Sequence, residues 1–542
     1  MGEEVDDTTI DYDTAIDEKY RIYASISFAV LLLGIGVPLW WHTTAVQRVS
    51  LPYAGIDGLS NLDVKIKIKL VLAILSERRA EKLTRELTEA FENTAIYKVE
   101  IVSRIIPVNL TEHDFKYTNM DKVAASNFNL DIGELLLMET NAIFELIYVG
   151  WERGIYFSPQ TNGSTLAQIL SEWMLREKSL ILTKNALAEP TLYSLDVENR
   201  RRFPASPAYD VLITVVNPNP EKLKVDWDLR KMAEKYVEPF LSKLSISSNF
   251  SVKSQWLYLL PLEVNPKRVP DSSLLGRHFA LPEDVLPQLI TPLEKKLASQ
   301  VSLHPTINFV IYAVPCDNAP LHIYTRSGHR SKSNVNVEAF LSPRWGGVVF
   351  INPSLEACAD AKSNESVTIV PEEITVIGTF LAQLKLLLGI PEPKPLHNVL
   401  TLPPSEFKLY NWEVDALLRI RTIEQLTSAK LTLQSLARLL KEIGNIVITD
   451  VVGDRIKTAL RLVENSAERL AAGDLRQGFL LSKEAFVAAE AAFSDPTLLA
   501  LLYFPEDQKY AVYIPLFLPA MIPVLLSLKN IYKHYSLRKV NA

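Results

Sequence analysis

Two short groups of residues have types and spacings that could do chemistry. Asp226-Trp227-Asp228 sets two carboxylates either side of one residue, the D-x-D pattern by which many luminal glycosyltransferases hold the metal of a nucleotide sugar. Carboxylate oxygens that close together can share a hard divalent cation. The same two aspartates open a helical pattern, however, where carboxylates accept from free N–H groups and complement the positive end of the helix dipole, and this is the stronger reading. Asp11-Tyr12-Asp13 repeats the spacing inside an acidic N-terminal segment. Cys316 is followed by His322 and His329, a thiol and two bases that folding would have to bring within hydrogen-bond reach before either could activate the sulfur. Any chain of this size offers such a pair. Gly34 and Gly36 are the nearest approach to a dinucleotide fingerprint, but they lie in an apolar run, where small residues let a second helix come close. No G-x-S-x-G, H-E-x-x-H or G-K-[ST] sequence occurs. The sequence therefore predicts no catalytic, cofactor-binding or metal-binding residue.

The remaining chemistry is of modification and redox state. Cys316 and Cys358 are the only cysteines, which excludes a disulfide scaffold and a cysteine-ligated zinc site. A single bridge in an oxidising compartment and two buried thiols both remain open. Asn-x-Ser/Thr sequons stand at Asn109, Asn162, Asn249 and Asn364 and are glycosylation candidates if the segment carrying them is luminal. The 542 residues are 48% hydrophobic and 22% charged, a globular composition, and 63 acidic against 57 basic residues give a net charge of -6. Such a balance offers no basic field for nucleic acid.

Two apolar runs frame the chain. Ala511 to Leu528, AVYIPLFLPAMIPVLLSL, is eighteen residues without a charge, long enough to cross a bilayer. Pro515, Pro519 and Pro523 fall four residues apart within it, so they share one face of a helix and each removes a backbone donor. Neighbouring helices can satisfy the freed carbonyls, which makes these prolines, with Gly34 and Gly36, candidates for contact with membrane partners. Ile22 to Trp41 is the second uncharged run, with Tyr23 at one end and Trp40 and Trp41 at the other. A cleaved signal peptide competes, but the run is long and its flank acidic, so a retained anchor is favoured. Lys529, Lys533, Arg538 and Lys539 follow the last span without an acidic residue, which places the C-terminus in the cytosol and, with two spans, the N-terminus beside it.

Between the spans the pattern is α/β, then α. Val64 to Leu75 alternates like a half-buried strand and Arg78 to Glu92 has helical spacing. Further strands are predicted at Ile96–Ile106, Val211–Val216, Phe250–Leu260, Thr306–Val314 and Val348–Ile351, and helices at Trp227–Leu244 and Glu372–Leu388, the latter capped by Gly389. The Pro-rich stretch Pro391 to Pro404 reads as a domain boundary. Beyond it Trp412–Ile443, Arg455–Ala471 and Asp474–Phe493 read as three helices. The expected organisation is an acidic cytosolic tail (1–21), a transmembrane helix (22–41), a luminal α/β domain on a mixed sheet (42–400), a luminal three-helix region (401–509), a second transmembrane helix (510–528) and a basic cytosolic tail (529–542).

Several blocks resemble one family. GIGVPLWWHTT from Gly34, SLPY from Ser50, YVEPFL from Tyr236, NFSVKSQ from Asn249, LSPRWGG from Leu341, FLAQLKLLLGI from Phe380 and LLYFPEDQKYAVYIPLFLPAMIPVLLSL from Leu501 are similar to phosphatidylinositol-glycan class S, PIG-S, a subunit family of the GPI transamidase. Residues 63–199 match it less clearly. The resemblance implies a two-span protein of the endoplasmic reticulum membrane, without cofactor. Its implied partners are the caspase-like PIG-K, which carries the nucleophilic cysteine, together with PIG-T, PIG-U and a GAA-type subunit. It also ranks Asn249 and Asn364, in NFSV and NESV, above Asn109 and Asn162. The implied role is a non-catalytic scaffold in the transfer of precursor proteins to GPI anchors. A two-span luminal glycosyltransferase using Asp226 and Asp228 is the alternative, and a luminal receptor or chaperone for precursors is a third reading.

Overall fold

A computed structural model describes residues 7–44, 48–105, 120–143, 146–192, 194, 197–270, 276–297, 301–330, 337–360, 365–401, 407–444, 446–499 and 506–540. The chain divides into two compact units, each drawn from separated stretches: one from residues 1–60, 432–460 and 488–542, the other from 61–431 and 461–487.

The larger unit is built on two mixed sheets. The first has six strands in the order Val399–Thr401, Ile147–Val149, Gly154–Phe157, Leu135–Glu139, Ile66–Ile74 and Tyr97–Ile105, parallel except where Ile147–Val149 meets Gly154–Phe157. Ile66 to Leu70 alternates buried and half-buried as its sequence alternates, and Val71 to Ile74 is wholly buried. The helix Glu77–Phe91 lays Ala80, Leu83, Leu87 and Phe91 inward at three- and four-residue steps. The second sheet runs Val337–Ser342, Gly346–Ile351, Thr306–Ala313, Ala208–Asn217, Asn249–Tyr258 and is parallel apart from its first pair. Val216, Val310, Leu281, Leu321 and Phe350 form one core cluster. Val71, Leu136, Met138 and Tyr156 form another.

Smaller sheets complete the unit: Lys267–Val269, His278–Pro282 and Leu321–Tyr324 in one, Leu223–Val225 and Val367–Ile369 in the other. Sequence reading missed these strands of three to five residues because so short a run has too few turns of the pleat to show alternation. The helix Glu373–Leu388 closes on Gly389, whose φ of 96° is the left-handed conformation expected of a helix C-terminus.

The Pro-rich stretch 391–404 does not separate the units. Residues on both sides of it belong to the larger one, and Val399–Thr401 within it is a sheet strand paired in parallel with Ile147–Val149. Proline lacks a ladder donor, so prolines flanking a three-residue edge strand are compatible with a sheet margin as well as with a linker.

The helix Asn411–Glu442 begins in the larger unit, and there Trp412 to Leu426 are buried on nearly every face. Its buried charges are all engaged. Asp415 takes Arg153 Nε at 2.6 Å, Arg153 Nη2 at 3.0 Å and the Gly133 N–H at 3.0 Å. Arg419, with none of its surface exposed, donates to the carbonyls of Met174 and Gly133. Arg421 donates to Glu424 and to the carbonyls of Phe203 and Leu388. Glu413 takes Lys385 Nζ at 2.7 Å, and burial still holds its carboxyl above the usual carboxylate range.

The smaller unit contains the terminal helices. The first runs from Asp7 to Ala29, passes through a π-helical stretch at Val30–Gly36 and ends at Val37–Thr44. The last is Glu506–Val540, and the two are in contact. The acidic segment expected as a cytosolic tail is helical from Asp7 onward. A helix nucleated in the apolar run extends cheaply, and carboxylates favour its N-terminal end. The basic segment after Leu528 likewise continues as helix to Val540. In the same unit Arg48 donates to the carbonyls of Leu440 and Gly444, capping the C-terminus of Asn411–Glu442. Lys441 pairs with Asp57 at 3.0 Å.

Candidate functional site

Asp228 is a helix cap. Its Oδ1 accepts from the Lys231 N–H at 3.0 Å at the start of Leu229–Met232, while the Asp226 N–H donates to the Ile369 carbonyl. Both aspartates are exposed, and no group of three His, Cys, Asp or Glu side chains among the described residues is placed to hold a metal ion.

Cys316 and Cys358 are joined as a disulfide with a Cα–Cα distance of 5.6 Å, which ties the turn Cys316–Asn318 to the helix Leu355–Asp360. That outcome closes the alternative of two free thiols. A bonded sulfur is no nucleophile, so the Cys316–His322–His329 arrangement cannot work as imagined. His322 instead gives Nδ1 to Glu338 Oε1 at 3.0 Å, and Arg330 Nε meets the same oxygen at 2.9 Å. The His329 carbonyl accepts from the Thr325 N–H and hydroxyl.

Beside this group lies a buried histidine that sequence reasoning passed over. His278 Nδ1 is 2.8 Å from the Gly276 carbonyl, so that nitrogen carries the proton, and in the neutral ring Nε2 accepts from the Tyr324 hydroxyl at 2.7 Å. The His278 and His322 rings lie 5.4 Å apart. Glu338 is 1% exposed, and it joins the strands Leu321–Tyr324 and Val337–Ser342 through His322, the Ile323 N–H and Arg330. The arrangement can orient and rigidify the strands it joins. Recognising the strands His278–Pro282 and Leu321–Tyr324 as neighbours is the signal that would have revealed it.

The terminal helices carry the other candidates. Residues 19–39 are a helix apolar and long enough to cross a membrane, and Ala511–Pro519 with Met521–Lys529 qualify together across a 51° bend. Val524 is buried and Tyr513, Phe517, Met521 and Ser527 are half-buried, which marks one stripe of the last helix. Ile22, Ser25, Ile26, Ala29, Leu32 and Gly36 are the buried or half-buried residues of the first among those whose side chains are described. Pro515, Pro519 and Pro523 are all exposed, off that stripe. Gly34 is exposed too, and a Cβ added there would meet only its own Val30 within 4 Å.

Of the sequons, Asn249 is exposed and begins the edge strand Asn249–Tyr258, and Asn162 is exposed at the start of the helix Gly163–Ile169. Asn109 and Asn364 lie outside the described residues.

A model of the family described as phosphatidylinositol-glycan biosynthesis class S protein matches residues 27–538. The chain belongs to the PIG-S family. It is 35% identical to the human GPI-anchor transamidase component PIGS, with 94% of each chain covered. The GPI transamidase component PIG-S homolog of Schizosaccharomyces pombe is 24% identical over 94% of this chain and 84% of its own, and the component GPI17 of Saccharomyces cerevisiae 22% over 95% and 92%. The match thus takes in both large sheets, the later part of the first terminal helix and nearly all of the last.

Proposed function

We propose that this chain is a non-catalytic scaffold subunit of the GPI transamidase, set in the endoplasmic reticulum membrane by its two terminal helices, with both ends cytosolic and the segment between them luminal. The carrying observation is the match to the PIG-S family over residues 27–538, which takes in most of the first apolar helix and the whole of the last apolar run. The Cys316–Cys358 bridge supports an oxidising compartment. The basic residues after Leu528 support a cytosolic C-terminus. Asp228 spent on a cap and Cys316 spent in a disulfide support a role without chemistry of its own.

The partners in this reading are the caspase-like PIG-K, PIG-T, PIG-U and a GAA-type subunit. The contribution to the reaction is positional: a subunit that fixes the catalytic chain's height above the bilayer raises the fraction of encounters in reactive geometry. Asn249, Asn364 and Asn109 are glycan acceptors on the luminal face. Pull-down of the full-length chain in mild detergent, with identification of the co-purifying chains, tests the proposal. Recovery of those subunits is expected. Their absence from a folded, disulfide-bonded preparation would refute it, as would loss of GPI-anchored reporter display in an Asp226→Ala, Asp228→Ala or His322→Ala variant that still assembles.

A further inference from the structure

The fourth sequon has a setting unlike a bare surface loop. Asn162 stands at the N-cap of Gly163–Ile169, where an Asn side chain ordinarily accepts from the first free N–H groups. It makes no such bond. Glu86, from the helix Glu77–Phe91, takes over by accepting the Gly163 N–H at 2.7 Å, and Arg79 donates to the Thr161 carbonyl just before it. The middle residue of the sequon has to be glycine, because a Cβ on Gly163 would lie 2.6 Å from Glu86 Oε2 and 2.7 Å from Glu86 Cβ. The fold thus caps the helix from elsewhere and leaves the Asn162 amide exposed.

That amide lines a groove of about 550 Å³ between the residues following Gly154–Phe157, the face of Gly163–Ile169 and the stretch Leu396–Val399. Gln160, Thr165, Gln168, His397 and Asn398 supply its polar groups, and no Asp, Glu, Lys or Arg lines it among the described residues. A wall of amides and hydroxyls with one imidazole suits a neutral ligand rich in hydroxyls. An ionic ligand would find no counter-charge there.

We propose that Asn162 is N-glycosylated and that the first sugars of its glycan lie in this groove. In the transfer, Asn162 Nδ2 forms a bond to C1 of the sugar as the C1–O bond to a polyprenyl diphosphate breaks; the diphosphate leaves and the amide gives up one proton to a base of the transferring enzyme. The modification removes no capping hydrogen bond, since Glu86 already holds Gly163. The groove's exposed amides then exchange water for sugar hydroxyls.

This rests on the luminal placement proposed above, so the test reads the two separately. The full-length chain is produced in a eukaryotic secretory cell. Site-resolved mass spectrometry after glycosidase release in heavy-oxygen water then reports occupancy at Asn162 and Asn249, and alkylation before reduction reports the Cys316–Cys358 bridge. The expected result is a modified Asn162 peptide, lost in Ser164→Ala and retained in Ser164→Thr. An unmodified Asn162 in a chain whose disulfide is formed overturns the proposal and leaves the luminal reading standing. Unmodified sequons with reduced cysteines refute the luminal reading. Hydrogen exchange locates the sugars: trimming the glycan is expected to speed exchange at residues 158–168 and 396–401. Unchanged exchange there overturns their placement in the groove.

Discussion

The helix Asn411–Glu442 carries Glu413, Asp415, Arg419 and Arg421 into its buried half, whereas the last helix, Glu506–Val540, turns Ile514, Leu516, Leu518, Leu525 and Leu526 outward. By composition the two should have exchanged places. A helix buried all round is ordinarily apolar, and an apolar face of that extent left exposed marks a surface meant for another environment. The helix Asn411–Glu442 resolves the contradiction with partners: each of these charges meets an opposite charge or a backbone carbonyl, and of their buried atoms Arg419 Nε alone is left without one. The last resolves it only if its surroundings are themselves apolar. Burial in the one region therefore follows hydrogen-bond completion, while in the other an apolar face stays open.

Asp415→Ala attacks the comparison hardest. It leaves Arg153 and the Gly133 N–H without their acceptor, and loss of one member of a buried pair costs about 3–5 kcal/mol. The melting temperature of the detergent-solubilised chain should fall steeply, and Arg153→Met added to it should recover much of the loss. A melting temperature unchanged by the single substitution would mean that the buried charges are incidental. In the terminal helices the counterpart is steric. Ala29 is buried on the stripe that the first helix presents, and Ala29→Leu should cost about 1–3 kcal/mol of their packing. Cross-linking between cysteines placed on the two helices reports the loss; undiminished cross-linking would show that the stripe is not an interface. Leu33→Ala, on the exposed side of the same run, should leave cross-linking as it was.

How much of this could be read in advance differs between the regions for a physical reason. Long strands and helices declare themselves through periodicity: Ile66–Ile74, Ala208–Asn217 and Thr306–Ala313 are found within a few residues of their predicted ends, as are the helices Asn411–Glu442 and Leu475–Phe493. Asp450–Ala472 begins well ahead of the predicted Arg455, and the three-helix stretch is shared between the two units rather than forming one of its own. Leu135–Glu139 is buried on both faces and so shows no alternation to read. The burial of Asp415 and Arg419 is set by Gly133, Arg153 and Met174, residues more than two hundred positions away, and no local pattern holds that information. The same is true of the disulfide, which the cysteine count allowed without requiring, and of Glu86 standing in for the Asn162 cap.

Proton linkage gives a smaller test of the buried half. Burial raises the Glu413 carboxyl above its ordinary value, with Lys385 pulling the other way. A carboxyl whose folded value is raised binds more protons folded than unfolded in the interval between the two, so its contribution to stability is complete below the ordinary glutamate value, about 4.3, and is lost as pH rises through the raised one. Glu413→Gln should therefore flatten the decline in stability from pH 4 toward neutrality, read as melting temperature against pH. A variant whose profile parallels the parent's would show that Glu413 titrates as it does in the unfolded chain.

The smallest effect on the chain itself belongs to the prolines of the last helix. In an ordinary helix interior each proline costs about 3 kcal/mol relative to alanine, and each leaves the carbonyl four residues earlier without its donor. Pro515, Pro519 and Pro523 would free the carbonyls of Ala511, Pro515 and Pro519, and steps of four residues advance only about 40° around a helix, so these groups and the prolines run along one exposed side. The buried stripe through Phe517, Met521 and Val524 lies elsewhere on the circumference. Replacing all three prolines by alanine should therefore leave contact between the terminal helices intact, straighten the 51° bend, and leave the melting temperature unchanged or slightly raised. What should fall is recovery of other subunits in a mild-detergent pull-down, because in hydrocarbon a row of free carbonyls is tolerated only where another helix offers donors or packs over it. Undiminished recovery would mean that lipid and local backbone adjustment suffice for this face, and that the exposed leucines beside it meet acyl chains rather than protein.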